Sequence, residues 1–395
     1  MDFTNQFIFF SGLILCLSIL VGMFSNRTGA PLLLAFLAVG VLFGQDGPGG
    51  IVFNDMQLSY SVCSLALAII LFDGGVHTSL SSFRSALRPA LSLATVGVVF
   101  TAGITGVTMW YLLGLDLLQA LLFGSIVAST DAAAVFLLLR QRGVKLAPKM
   151  ANTLEVESGI NDPMAIFLTL TFVGLILTEP GGESLVGEIS MNLVKQLGIG
   201  AAFGFAGGRM LIWFFDRLEL DSGLYPIFAL AGGLLVFGAT NMLEGSGFLA
   251  TYIAGLLLGN HDYKAKNVVL QFMDGIAWLS QLGMMLVLGL LVTPSELIED
   301  VSVSVIIAVL LIFVARPVAV FLTLTFEPFS WREKLFISWV GLRGAIPIYL
   351  ATIPVLLGVN GEFFNIAFMV VLCSLFLQGW TIRPVAALLK VSQKL

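Results

Sequence analysis

The sequence predicts an all-α polytopic membrane protein with about 13 transmembrane helices, arranged as two inverted-topology repeats with crossed discontinuous helices. Three observations carry that expectation. The 395 residues are 58% hydrophobic and 11% charged, with a mean hydropathy of +1.01, whereas soluble domains run at roughly 45–50% apolar and 25% charged. The apolar runs are long, punctuated by Gly, Pro and charge, and flanked unevenly by Lys and Arg. A segment beginning at Pro31 recurs 215 positions later.

In order, the expected spans cover roughly 7–25, 31–44, 58–77, 89–114, 117–139, 150–178, 190–213, 224–240, 247–260, 267–293, 301–326, 334–357 and 363–388. The first follows Met1-Asp2-Phe3-Thr4-Asn5-Gln6, which lacks a basic n-region, so it reads as a retained span rather than a signal peptide. The basic residues support the remaining boundaries. Sixteen of the nineteen fall at odd-numbered loops or the C-terminus: Arg27; Arg84 and Arg88; Arg140, Arg142, Lys145 and Lys149; Arg209 and Arg217; Lys264 and Lys266; Arg332 and Lys334; Arg383, Lys390 and Lys394. By the positive-inside rule the N-terminus is expected outside and the C-terminus in the cytoplasm, which requires an odd number of spans. Lys195, Arg316 and Arg343 are the exceptions. Cys16, Cys63 and Cys373 lie within spans and give no disulfide framework. No nucleotide-binding fingerprint or soluble domain is visible, so no cofactor and no nucleic-acid partner are expected, and the chain reads as a transporter rather than an enzyme.

The repeat aligns Pro31-Leu32-Leu33-Leu34-Ala35 through Gly40, Leu42 and Gly44 with Ser246-Gly247-Phe248-Leu249-Ala250 through Gly255, Leu257 and Gly259, with five identities in fourteen positions. At the same offset Leu71, Gly74 and Thr78 meet Leu286, Gly289 and Thr293. The offset shifts the chain by seven spans, an odd number, so the second unit is inverted. Repeat 1 then covers about 7–178, a linker span 190–213, and repeat 2 about 224–388. Inverted repeats point to alternating-access transport, with the binding site where the repeats meet.

Within span 6 stands Leu154-Glu155-Val156-Glu157-Ser158-Gly159-Ile160-Asn161-Asp162-Pro163. A carboxylate at the centre of a membrane helix costs about 2.5–3.5 kcal/mol, so these acids call for partners or a polar cavity. On a helix Ser158 and Asp162 share one face, and Glu157 and Asn161 share another. Pro163 donates no N–H, which leaves the Gly159 carbonyl free beside Ser158 and Asp162. Hydroxyl, carboxylate and carbonyl make a hard oxygen site suited to a small cation.

Two spans contain helix-breaking segments. Ala128-Ser129-Thr130-Asp131-Ala132 in span 5 corresponds at the repeat offset to Gly341-Leu342-Arg343-Gly344-Ala345-Ile346-Pro347 in span 12. Unwound segments at equal depth are expected to cross near the membrane middle, with Asp131 answering positive half-helix ends and Arg343 negative ones. Asp73 in span 3 is a further acid near the cytoplasmic end, and Glu155 is expected to line an access funnel. His77, Lys195, His261 and Arg316 read as interfacial or structural.

Asn161-Asp162 with Glu157 before it, Thr130-Asp131, Phe72-Asp73-Gly74-Gly75 and Gly341-Leu342-Arg343-Gly344-Ala345 together resemble the monovalent cation/proton antiporter family, in its Asn-Asp branch, across essentially the whole chain. The nearest likeness is to bacterial potassium/proton antiporters. The resemblance implies electroneutral exchange of one K⁺, or Na⁺, for one H⁺; a homodimer in the bacterial inner membrane; and a core of spans 3–6 and 10–13, with the remaining spans for dimerisation and scaffold. It also implies that Asp162 binds cation or proton, that Ser158 and Thr130 contribute oxygens, with Asp131 and Asp73 as further candidates. Glu157 is expected to pair with Arg343, and Asn161, Gly344 and Pro347 to support the helix breaks. Asp73 stands where members often have Glu. Relatives of this kind often carry cytoplasmic regulatory domains, and this chain shows none. Two readings compete: an intramembrane aspartyl protease using Asp131 and Asp162, which lacks that class's Tyr-Asp and Gly-x-Gly-Asp contexts, and a passive cation channel.

Overall fold

The computed structural model describes residues 2–28, 31–141, 143–177 and 185–393. Arg142 and Lys394, two of the basic positions used above, lie outside the described residues, as do the side chains of Arg27 and Arg140. In chain order the first elements are α1 (Asp2–Thr28), α2 (Leu32–Phe43) and α3 (Met56–His77). Span 4 is α4 (Leu80–Ser92) joined through a π-helical turn, Leu93–Gly97, to α5 (Val98–Leu113). Span 5 is two short helices, α6 (Leu117–Ile126) and α7 (Ala132–Gln141). Then come the two-residue strand β1 (Lys145–Leu146), α8 (Pro148–Leu177), α9 (Leu185–Arg217), α10 (Leu224–Met242), α11 (Gly247–Gly259) and α12 (Lys266–Leu290). Span 11 is α13 (Pro294–Leu310), a second π turn at Leu311–Ala315, and α14 (Arg316–Thr323). Span 12 is α15 (Trp331–Trp339) and α16 (Ala345–Leu356), followed by α17 (Glu362–Leu389). Strand β2 (Ser392–Gln393) pairs antiparallel with β1, Lys145 opposite Gln393.

Among the described residues, 8 helices are long and apolar enough to cross a membrane. The halves of spans 5 and 12 are not. At 1.5 Å per residue a ten-residue helix such as α6 reaches about 15 Å, half of a hydrocarbon core. Each half must therefore meet its continuation in mid-membrane, as the broken composition of both spans anticipates.

The internal repeat is written into the element boundaries. α2 corresponds to α11, α3 to α12, α6 and α7 to α15 and α16, and α8 to α17. The π turns at Leu93–Gly97 and Leu311–Ala315 also correspond, a feature the apolar runs gave no sign of. Lipid tails are as apolar as leucine, so association of such helices relies on close backbone approach at small residues. The two repeats exchange such contacts reciprocally. A Cβ on Gly40 of α2 would stand 2.5 Å from the Leu286 carbonyl oxygen of α12, and one on its repeat mate Gly255 of α11 would stand 2.3 Å from the Phe72 carbonyl oxygen of α3. Gly74, by contrast, has nothing within 4 Å of where its Cβ would be. The most enclosed element is α16, in which every residue from Ala345 to Pro354 is buried, whereas α9 leaves Met191, Val194, Phe205 and Trp213 on the outside.

Gly255→Ala should lower thermal stability in detergent by roughly 1–3 kcal/mol, the usual range for overpacking a close contact, while Gly74→Ala should leave it nearly unchanged. Equal melting of the two variants would mean that the α3–α11 crossing does not depend on the missing side chain.

Candidate functional site

The site is built where segments 127–131 and 340–344 cross. α6 stops at Ile126, and the next residues, Ser129, Thr130 and Asp131, carry side chains that compete with helical backbone bonding. Asp131 then starts α7 as its N-cap, its Oδ1 accepting from the Ala134 N–H at 3.0 Å. On the other side α15 stops at Trp339 and Gly344 precedes α16. Only glycine fits there, because a Cβ on Gly344 would lie 2.2 Å from Asp131 Oδ2. Pro347 falls in the first turn of α16, where an N–H would have had no helical partner. Its effect is to start the second half-helix, not to remove a bond from a continuous one.

The two segments are tied to each other and to their neighbours. The Asp131 N–H donates to the Leu342 carbonyl at 2.8 Å. Arg343 Nη1 donates to the carbonyls of Ala128 at 2.9 Å and Ser129 at 2.6 Å, so its charge sits at the negative end of α6. Asn161 on α8 donates from Nδ2 to Thr130 Oγ1 at 2.6 Å and to the Thr130 carbonyl at 3.3 Å. The second crossing segment is braced in the same way from α17. The Arg343 N–H donates to Ser374 Oγ at 3.0 Å, Ser374 Oγ donates to Gln378 Oε1 at 2.5 Å, and Gln378 Nε2 donates to the Trp339 carbonyl at 2.7 Å.

Asp162 faces this crossing from α8 and is 4% exposed. Ser129 Oγ donates to its Oδ1 at 2.5 Å. Ser158, one helical turn earlier, accepts from the Ala132 N–H at 3.2 Å and donates to the Thr130 carbonyl at 3.3 Å. Asp162, Ser158, Thr130 and Asn161 thus converge on one unwound segment. They offer a carboxylate, hydroxyls and a carbonyl, the hard oxygen set a small monovalent cation takes as substrate. Asn161 Oδ1 is buried without a hydrogen-bond partner and adds a further oxygen there.

One expected pairing is different. Glu157 does not pair with Arg343; it accepts from Arg316 Nη2 at 2.7 Å, both side chains being almost wholly buried at 1% and 2% exposure. The reason is geometric. Arg343 is committed to the carbonyls at the end of α6, whereas Arg316 emerges directly after the π turn Leu311–Ala315 as the first residue of α14. The sequence marked Arg316 as interfacial or structural without naming a partner, although its place deep in an apolar run, next to Pro317, carried the same cost signal as Arg343. Ser129, read only as part of the helix-breaking segment in span 5, is the direct partner of Asp162.

Asp73 is not gathered into this cluster. It lies beside His77, with His77 Nδ1 3.0 Å from its Oδ1. It borders a cavity of about 160 Å³ that runs from Asp274, Trp278 and Gln281 to Ala133 and Ala134 in the first turn of α7. Glu155 accepts from Thr78 Oγ1 at 3.0 Å. His261 meets Asp216 at 2.8 Å, and Lys195 pairs with Glu244, both at exposed positions.

Repeated helices broken in mid-membrane, crossed, and supplied with buried acids define a secondary transporter. The model of the sodium/hydrogen exchanger transmembrane family matches residues 12–388, and the chain belongs to that family. It is 49% identical over 393 residues to the K(+)/H(+) antiporter NhaP2 of Shewanella sp. (strain ANA-3), covering 99% of this chain and 68% of that protein. The K(+)/H(+) antiporter NhaP of Alkalimonas amylolytica is 46% identical over the same shares. The Na(+)/H(+) antiporter NhaH of Halobacillus dabanensis is 28% identical, covering 94% of this chain and 95% of that one. The fold matches that of the sodium proton antiporter MjNhaP1 from Methanocaldococcus jannaschii at pH 8, with a TM-score of 0.83 and 22% identity over 99% of both chains.

Removing one partner of a buried ion pair strands a charge and costs about 3–5 kcal/mol. Thermal unfolding of Glu157→Gln, Arg316→Met and the double variant should therefore show strong coupling, the double variant losing much less than the sum. The cycle of Glu157→Gln with Arg343→Met should show much weaker coupling; the reverse ranking would place Arg343, not Arg316, opposite Glu157.

Proposed function

We propose that the chain exchanges a monovalent cation for H⁺ by alternating access, with Asp162 as the group that holds either one. The observation that carries this is the difference among the three acids at the crossing. Glu157 has an arginine, Asp131 has the N-terminus of α7, and Asp162 has only a serine hydroxyl. An acid without a cationic partner, beside free oxygens at a helix crossing, is placed to trade a proton for a cation. Ser158 Oγ and the Thr130 carbonyl complete the cation's oxygen shell in this reading, while Asn161 and Arg343 keep the crossing in shape. K⁺ is the substrate in the names of the relatives at 49% and 46% identity, and Na⁺ fits the same ligands. Asp73 and Asp131 act as supporting acids, not as the exchanging group.

The reading extends to the assembly. Thirteen passes, an outside N-terminus, a cytoplasmic C-terminus and a homodimer in the inner membrane agree with the Lys and Arg distribution and the family. On that orientation the cavity beside Asp73 opens to the cytoplasm, since His77 ends α3 on the basic side. The protease alternative needs Asp131 and Asp162 as a dyad, yet each carboxylate is engaged by a different partner.

In proteoliposomes with an imposed pH gradient, Asp162→Asn should abolish cation-dependent proton flux while the protein stays folded and inserted, because an amide neither releases a proton nor balances a cation. Ser158→Ala should instead weaken apparent cation affinity several-fold. In the unaltered chain that affinity should rise with pH, as proton and cation compete for one carboxylate. Coupled flux by Asp162→Asn would remove Asp162 from the centre of the reading.

A further inference from the structure

Away from the Asp162 cluster, α3 and α12 bring Asp73, His77 and Asp274 together, one ligand atom from each lying within 4.8 Å of the other two. His77 Nδ1 is 3.1 Å from the Asp73 backbone carbonyl, one turn back on α3, and Nε2 is 3.5 Å from Asp274 Oδ1. With its proton on Nδ1 and directed at that carbonyl, the ring presents the Nε2 lone pair toward Asp274. A backbone carbonyl holding the far nitrogen is the usual way a metal-ligating histidine is oriented. Asp73 Oδ1 is shielded from solvent and receives no hydrogen bond, although His77 Nδ1 stands close to it. Both carboxylates also border the cavity that leads to the first turn of α7.

We propose that Asp73, His77 and Asp274 form a site for a divalent transition-metal ion, with Zn²⁺ the best match, at the mouth of this cavity. One imidazole and two carboxylates, with a fourth position open to the cavity for water, is a donor set Zn²⁺ takes. The proposal goes beyond the cation exchange assigned to Asp162 and shares with that reading only Asp73, there a supporting acid. Its consequence for exchange is electrostatic as well as steric. Two carboxylates at a cavity mouth raise the local concentration of monovalent cations; a bound divalent ion cancels that charge and occupies the opening, so it should slow exchange.

The chain has two histidines, and the other, His261, meets the single carboxylate of Asp216, which makes it an internal control. Zn²⁺ titrated into the purified full chain by isothermal titration calorimetry should bind at one site per chain. His77→Gln and Asp274→Asn should each weaken that binding about tenfold or more, and His261→Gln should leave it unchanged. In proteoliposomes the same Zn²⁺ concentration should inhibit the unaltered chain and spare His77→Gln. Absent binding, or equal binding by the unaltered chain and His77→Gln, would overturn the site. Binding lost in both variants with exchange indifferent to Zn²⁺ would overturn its placement at the mouth. Because calorimetry reads the site without transport, its result stands apart from whether the chain exchanges K⁺ or Na⁺.

Discussion

Two stretches of unwound backbone cross inside this protein, and the rest of the structure depends on their being held there. An unsatisfied peptide group in hydrocarbon costs several kcal/mol, so segments 127–131 and 340–344 depend on the hydrogen bonds they make to each other and to neighbouring helices. The Asp131 N–H bonds the Leu342 carbonyl, and one guanidinium nitrogen of Arg343 bridges two carbonyls at the end of α6. The long helices that follow each break supply further partners: Asn161 on α8 donates to the Thr130 carbonyl, and on α17 Ser374 accepts from the Arg343 N–H while Gln378 donates to the Trp339 carbonyl. Segment 340–344 lies 213 positions after segment 127–131, as Ser374 lies 213 after Asn161. The bracing is therefore repeated along with the helices.

Fixing the crossing also fixes the charges. Arg316 neutralises Glu157 at 2.7 Å. Arg343 and Asp131 sit on opposite sides of the crossing, each at a half-helix end of complementary sign. Of the five ionisable residues around the crossing, Glu157 and Arg316 answer each other, Asp131 and Arg343 each face a half-helix end, and Asp162 meets only the Ser129 hydroxyl. The exchange of Arg316 for Arg343 as Glu157's partner strengthens this distinction, because it leaves Arg343 free to balance the crossing.

Much of this was legible in the chain. Composition and the Lys and Arg pattern gave the membrane class, and two glycine-bearing matches at one offset gave the repeat whose helix boundaries the structure shows. Asp162, Ser158, Asn161 and Thr130 were marked by polar residues that an apolar span cannot carry idly. Pairings were less legible. Glu157 had two intramembrane arginines to choose from, and only the course of α14 after its π turn decides between them. The hydroxyl that meets Asp162 belongs to Ser129, whereas spacing along α8 drew attention to Ser158. The crossing register also slipped: the 215-residue offset placed Thr130 and Asp131 opposite Ala345 and Ile346, while the unwound segments are offset by 213, since breaks are set by local hydrogen bonding and not by the repeat alone. The group formed by Asp73, His77 and Asp274 shows only the four-residue spacing of Asp73 and His77 in the sequence; Asp274, about 200 positions away, joins them only through the packing of α12 on α3.

The central claim is that a single carboxylate, Asp162, carries the exchanged charge, so that one proton leaves for each monovalent cation that enters its place. The direct measurement is exchange in proteoliposomes whose membrane potential is set independently of the pH gradient. If Asp162 alone titrates during the cycle, an imposed potential of either sign should neither drive nor oppose exchange. A clear dependence of rate or end point on potential would contradict the account, because it would require a second acid, Asp73 or Asp131, to carry protons as well.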